Sequence, residues 1–223
     1  MNQKLFFKGY IVISSIYLIL VLFGLENTAW FLKPVLLPFL ILGVYCAPHF
    51  TTKRLLLVGL ILSWLGDILL LFEEVKDIYF ILGLLSFLVA HISYTLVFKK
   101  QKENLNHKKE LLYGIGLTII VVYLITLLTL LFPTLADLKI PVIIYSIVIS
   151  VMLLFAFKGY FVWKSPENKI ILVGAIIFVA SDSILAIDKF YEPVEKATFW
   201  IMSTYLIAQY LISTSIVDLN KKK

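Results

Sequence analysis

Charge is what this sequence has least of. Only 15% of its 223 residues are Asp, Glu, Lys or Arg, against roughly 25% in an ordinary soluble domain. Hydrophobic residues make up 61%, more apolar surface than a chain of this length could hide in its own interior. A compact cytosolic enzyme, a disordered chain and a collagen-like chain are excluded together. Cysteine is nearly absent too. Cys46 stands alone in an apolar stretch, so no internal disulfide can form and a disulfide-stapled secreted module is excluded. No G-x-S-x-G elbow, Walker loop or Rossmann glycine fingerprint occurs. Two of the three histidines, His49 and His107, fall in the gaps between apolar runs, far from the three or four ligands zinc requires. No metal and no cofactor is expected.

What the chain does contain is long apolar runs. Eight are readable, over residues 9–25, 29–46, 54–72, 79–98, 111–132, 140–157, 170–187 and 197–216, with a mean hydropathy of +0.98 for the whole. Each is long enough to cross a hydrocarbon core of about 30 Å at about 1.5 Å per residue. The runs do not alternate, and backbone groups in lipid must be satisfied internally, so they read as helices rather than barrel strands. The expected fold is therefore all-α, a polytopic bundle of eight transmembrane helices forming one integral membrane domain over residues 1–223. Lys4 and Lys8 precede the first run as in a signal peptide. No small-x-small cleavage site follows, so that run is expected to be retained. The net charge of +6 does not point to nucleic acid, because the charges sit in short gaps between the runs.

The distribution of those charges orients the chain. Eight spans put both termini on one side, with the loops near Glu26, Asp77, Asp137 and Glu192 on the other. The terminal side collects 15 of the 20 basic residues and the opposite side only 4, Lys76, Lys139, Lys189 and Lys196. Acidic residues run the other way. The positive-inside rule predicts cytoplasmic termini in an inner or plasma membrane.

The two halves, about 1–105 and 106–223, resemble each other weakly. Leu65-Gly66-Asp67-Ile68-Leu69-Leu70 in the third run matches Ala180-Ser181-Asp182-Ser183-Ile184-Leu185 in the seventh. Leu88-Val89-Ala90-His91 in the fourth matches Leu206-Ile207-Ala208-Gln209 in the eighth. Pro34 and Pro141 open the second and sixth. The offsets rise in chain order, as a parallel four-plus-four repeat with small insertions would give. Apolar helices also resemble one another by composition alone.

Only two carboxylates lie inside runs, Asp67 and Asp182. Each costs about 2.5–3.5 kcal/mol at a helix centre on insertion scales, so neither is there without use. Both fall a few residues before the same end of their helices, and two carboxyl groups in one poorly hydrated cavity favour one protonated and one ionised partner. That suits acid–base chemistry at neutral pH. A proton or ion relay, or a pair of structural hydrogen bonds, is the competing reading. Lys33 lies near the same level, able to snorkel, to balance an aspartate or to hold a phosphate. Tyr145 falls at similar depth, Lys189 follows Asp182 on one stripe of its helix, and Ser181 precedes it. His91, with Tyr94 on the same face, and Gln209 either pack the bundle or extend a polar pocket. An intramembrane aspartyl protease would want G-x-G-D and Y-D, and here the stretches are Trp64-Leu65-Gly66-Asp67 and Ser181-Asp182.

Leu32-Lys33-Pro34, Leu65-Gly66-Asp67, Ala90-His91-Ile92-Ser93-Tyr94, Gly174-Ala175 and Phe178-Val179-Ala180-Ser181-Asp182 together resemble the YhhN family, which contains the lysoplasmalogenases. The resemblance covers nearly the whole chain. It implies an eight-helix membrane enzyme that hydrolyses the sn-1 vinyl ether of a lysophospholipid, the lysoplasmalogen, to a fatty aldehyde and glycerophosphoethanolamine or glycerophosphocholine. Asp67 and Asp182 would then be the catalytic pair, and Lys33 or Lys189 would meet the phosphate. Membrane lipid is the implied partner. The other function class open at this point is a proton-coupled transporter or a lipid-binding membrane protein.

Overall fold

A computed structural model of the protein describes residues 3–102 and 110–221. Its elements are α1 (Gln3–Leu22), α2 (Glu26–Tyr45), α3 (Lys53–Leu70), α4 (Asp77–Lys99), α5 (Glu110–Leu131), a single 3₁₀ turn at Ala136–Leu138, α6 (Lys139–Val162), α7 (Glu167–Phe190) and α8 (Ala197–Leu219). Among the described residues there is no strand. Among the described residues, seven of the eight long helices are long and apolar enough to cross a membrane. The eighth, α3, carries Lys53, Arg54 and Asp67 within its 18 residues. The chain is a polytopic helical membrane protein.

Helices and apolar runs share centres but not ends. The first helix begins at Gln3 and takes in Lys4 and Lys8, and α6 continues to Val162, past the run that ends at 157. Hydropathy reports lipid contact, whereas the helix continues as long as its backbone can bond, and a lysine stem at a helix end reaches the interface.

The contacts divide the chain into two compact units, Met1–Val97 with Asn220–Lys223, and Phe98–Leu219. The boundary between repeat halves expected near 105–106 lies outside the described residues, as do His107, Lys108 and Lys109.

In the first unit, α2 contains Pro34 and Pro38. Pro38 has no N–H, so the Pro34 carbonyl one turn earlier loses its helical donor. The Trp64 indole of α3 supplies it, with Nε1 donating to that carbonyl at 2.7 Å. Lys53, opening α3, donates to the carbonyls of Tyr45 and Ala47 at the end of α2, at 2.7 and 2.5 Å, where a cation suits the helix dipole. Trp30 meets Phe72 edge-on at 5.8 Å, and Phe72 meets Tyr79 at 5.9 Å, an aromatic patch of the kind found at membrane interfaces. Gly66 brings α4 close: a Cβ there would fall 2.6 Å from the Phe87 ring.

In the second unit, α7 and α8 pack through Gly174, whose missing Cβ would stand 2.9 Å from Ile212. Close approach over a small residue is how helices associate when lipid removes the hydrophobic drive between them. A side-chain bond ties the same pair, as Ser181 Oγ donates to the Ile201 carbonyl at 2.9 Å.

Candidate functional site

Asp67 is buried on α3, three residues before that helix ends at Leu70. Tyr10 and Tyr17 of α1, both buried, lie within reach of its charge. They come from a stripe of α1, Phe7, Tyr10, Ser14, Tyr17 and Val21, whose spacing of three and four residues turns one face inward. Tyr94 of α4 is fully buried beside Tyr10 and stands over Gly59 of α3, where a Cβ would fall 3.0 Å from its ring. His91, one turn earlier on that face, is fully buried too. Ser63, one turn before Asp67, buries its hydroxyl without a hydrogen-bond partner among the described residues. Lys33 is half-buried on α2, and no ion pair engages it among the described residues.

The second carboxylate has a more definite setting. Tyr145 of α6 donates to Asp182 Oδ2 at 2.6 Å, a short O–H···O hydrogen bond. Next on the chain, Ser183 Oγ donates to the Val179 carbonyl at 2.6 Å and is bonded to the Tyr123 hydroxyl of α5. Tyr123 also lies within reach of the Asp182 charge. Asp182 is itself only half-buried. Of the other residues read from sequence in this unit, Ser181 is taken up by the bond to α8, Gln209 is fully buried on α8, and Lys189 is exposed. Near the end of α7, Asp188 accepts from the Val194 backbone N–H at 2.8 Å.

Of the residues singled out from sequence, Tyr145 and Asp182 meet directly in the second unit, and His91 and Tyr94 share a buried face of α4 in the first. Sequence reasoning missed Tyr10, Tyr17, Tyr123 and Ser183. The signal for the first two was available: Tyr10, Ser14 and Tyr17 are polar residues at helical spacing in a run otherwise read only for its targeting signal.

A helical membrane protein with two intramembrane carboxyl groups, each set among tyrosines, is the class that fold and site define. The model of the YhhN family matches residues 28–216, and the chain belongs to that family. It is 31% identical over 173 residues to Lysoplasmalogenase TMEM86A of Bos taurus, covering 72% of this chain and 64% of that one, with the same figures for the Homo sapiens protein. It is 31% identical over 198 residues to Lysoplasmalogenase TMEM86B of Homo sapiens, covering 85% and 77%. The chain thus spans 64% of the length of the TMEM86A relatives it matches. No solved structure matches it significantly. Asp67 and Asp182 both fall within the family match, whereas Tyr10 and Tyr17 precede it.

Proposed function

We propose that this protein is a membrane hydrolase that cleaves the sn-1 vinyl ether of lysoplasmalogen, with Asp67 and Asp182 as its acid–base carboxyl groups. The observation that carries the reading is the Asp182 cluster, a carboxylate held by a tyrosine hydroxyl inside an apolar helix, in a chain whose relatives bear the lysoplasmalogenase name.

A vinyl ether hydrolyses when its β-carbon takes a proton. The electron pair of the double bond forms the new C–H bond, and the ether oxygen shares the positive charge left on the carbon it is bonded to. Water adds to that carbon and loses a proton, and the resulting hemiacetal collapses to an aldehyde and the glycerol hydroxyl. One neutral carboxyl group delivers the first proton. One carboxylate stabilises the oxocarbenium ion and takes the proton from water, as in inverting glycosidases, where two carboxyl groups divide the same tasks. Tyr145 fixes the rotamer of Asp182 by its hydrogen bond. The unpartnered Ser63 hydroxyl supports a role for the Asp67 region in holding water or a substrate oxygen, since a buried hydroxyl without a partner is costly. Lys33 is the proposed phosphate contact, as a half-buried cation with no carboxylate paired to it among the described residues. Both termini are proposed to be cytoplasmic, which a fusion reporter at the C terminus tests.

The deciding experiment incubates purified protein with a defined lysoplasmalogen and, separately, with the matching lyso-ester lipid, and follows products by mass spectrometry. Fatty aldehyde and glycerophospho-alcohol from the vinyl ether alone is the expected result. No aldehyde from the active preparation overturns the reading.

A further inference from the structure

The second unit holds a groove that the acid–base chemistry leaves unused. It runs between α5, α6 and α7 and encloses about 390 Å³. Its walls are apolar, with Ile119 and Ile120 from α5, Leu153 from α6, and Leu172 and Ile176 from α7. The α7 wall extends from Leu172 to Ala180, a length of about 12 Å at 1.5 Å per residue.

The two ends differ in chemistry. At one end stands Tyr123, whose hydroxyl is bonded to Ser183, the residue next to Asp182. At the other, Phe157 closes the groove. Gly116 lets the Phe157 ring lie against the α5 backbone, since a Cβ at that position would collide with the ring. Tyr113 stacks on Phe157 at 6.2 Å and Phe161 meets it edge-on at 5.1 Å, so the stop is braced from behind. Along its length the groove is open beside Ile119, which is 63% exposed, so a chain can enter sideways from the hydrocarbon.

A slot that is apolar throughout and polar at one mouth matches an amphiphile with one chain. At roughly 30 Å³ for a group of about water's size, the enclosed volume holds about a dozen methylene groups. We propose that this groove seats the sn-1 hydrocarbon chain of the substrate, with the vinyl ether end at Tyr123 and Asp182 and the distal end against Phe157, which gauges chain length. The inference rests on the lysoplasmalogen reading for the identity of the chain. It adds where the chain lies and which residues select its length.

Two substitutions should move chain-length preference in opposite directions. Phe157→Leu removes the stop, and Ile176→Trp fills the middle of the slot from a position 51% exposed, where added bulk leaves packing intact. KM and kcat would be measured on lysoplasmalogens of graded sn-1 length. Because the chain enters from hydrocarbon rather than water, KM should change for chains that reach the altered position and hold for those that do not. Phe157→Leu should lower KM for chains longer than the wild-type optimum. Ile176→Trp should raise KM for the longest chain several-fold more than for the shortest. In parallel, thermal stabilisation of the detergent-solubilised protein by saturated 1-O-alkyl lysolipids of the same lengths, which cannot be cleaved by this route, should show the same opposite shifts. Intact cleavage with an unmoved length profile in both variants overturns the groove and leaves the hydrolase standing. Length-gated stabilisation that both variants shift, in a wild-type protein that releases no aldehyde, upholds the groove and removes the hydrolase. Stabilisation equal at every length in all three proteins overturns the groove.

Discussion

Asp67 and Asp182 occupy matching stretches of the two halves, yet their surroundings differ in kind. Asp67 is buried to 4% exposure among aromatic side chains from α1 and α4, and its helix stops three residues later. Asp182 is half-buried, bonded by Tyr145, one residue from a Tyr123–Ser183 pair, and its helix continues to Phe190. The first setting is closed, and the second lies one residue from the Ser183 that bonds Tyr123 at the end of an apolar groove. The two settings suit two different tasks. A closed carboxyl group suits holding a proton or a water away from bulk solvent, and an approachable one suits meeting a substrate.

The sharpest way to break this comparison is to neutralise each carboxylate. Asp67→Asn and Asp182→Asn keep size and a hydrogen bond but remove both the acidic proton and the charge. Each should lower kcat by ~10²–10⁴-fold, the usual contribution of an acid–base group. On the proposed acid–base reading the double variant should be little worse than the worse single. Aldehyde release from defined lysoplasmalogen is the readout. A variant at Asp67 that keeps wild-type turnover would reduce the first site to packing and leave Asp182 working alone.

Next in size is the tyrosine bonded to Asp182. Tyr145→Phe removes the 2.6 Å bond to Asp182. Hydrogen bonds to charged groups contribute about 1.5–3 kcal/mol, so a drop of roughly 10–100-fold in kcat/KM is expected at 1.36 kcal/mol per tenfold. Tyr17→Phe, which affects Asp67 only through charge at a distance and lies outside the family match, should cost less than threefold. Equal losses in parallel kinetic assays would erase the difference between the sites.

Much of this was legible in the sequence, and the parts that were not share a cause. The eight helices follow from apolar run length, and Tyr145 was read at a similar depth to the aspartates. What escaped was direction around the helix axis. In a lipid-facing helix apolar residues occupy every side, so hydropathy marks no inward stripe, and nothing in the pattern of α5 set Tyr123 apart. Helix ends escaped as well, because Lys4, Lys8 and the residues after 157 on α6 continue helices past the apolar stretch that signals them. The Trp64–Pro34 bond lay between these cases: Pro38 announces an orphan carbonyl, but not which neighbour supplies the donor.

That orphan provides a structural test within the first unit. Trp64→Phe keeps the aromatic bulk and removes the Nε1 donor, leaving the Pro34 carbonyl without the N–H that Pro38 cannot offer. Exposing an unpaired polar group to a dry interior costs about 1–3 kcal/mol. A clear fall in melting temperature in detergent is the expected result, and an unchanged melting temperature would mean that water reaches the carbonyl.

The smallest effect is expected at Ser181. Its hydroxyl also donates across a helix pair to a carbonyl, that of Ile201, at 2.9 Å. The acceptor, however, lies within α8 and retains its helical partner one turn on at Tyr205, and Thr204 Oγ1 donates to it as well at 3.0 Å. Nothing is orphaned when Ser181→Ala removes one of several donors. Interhelical side-chain bonds inside membrane proteins average about 0.6 kcal/mol, so Ser181→Ala should lower stability by about that much and less than Trp64→Phe does. Activity discriminates further. A serine committed to α8 leaves KM and kcat within about twofold of wild type after truncation, whereas a serine that binds substrate raises KM several-fold at unchanged melting temperature. The second outcome would move Ser181 from the scaffold to the substrate and require its bond to Ile201 to open when lipid enters.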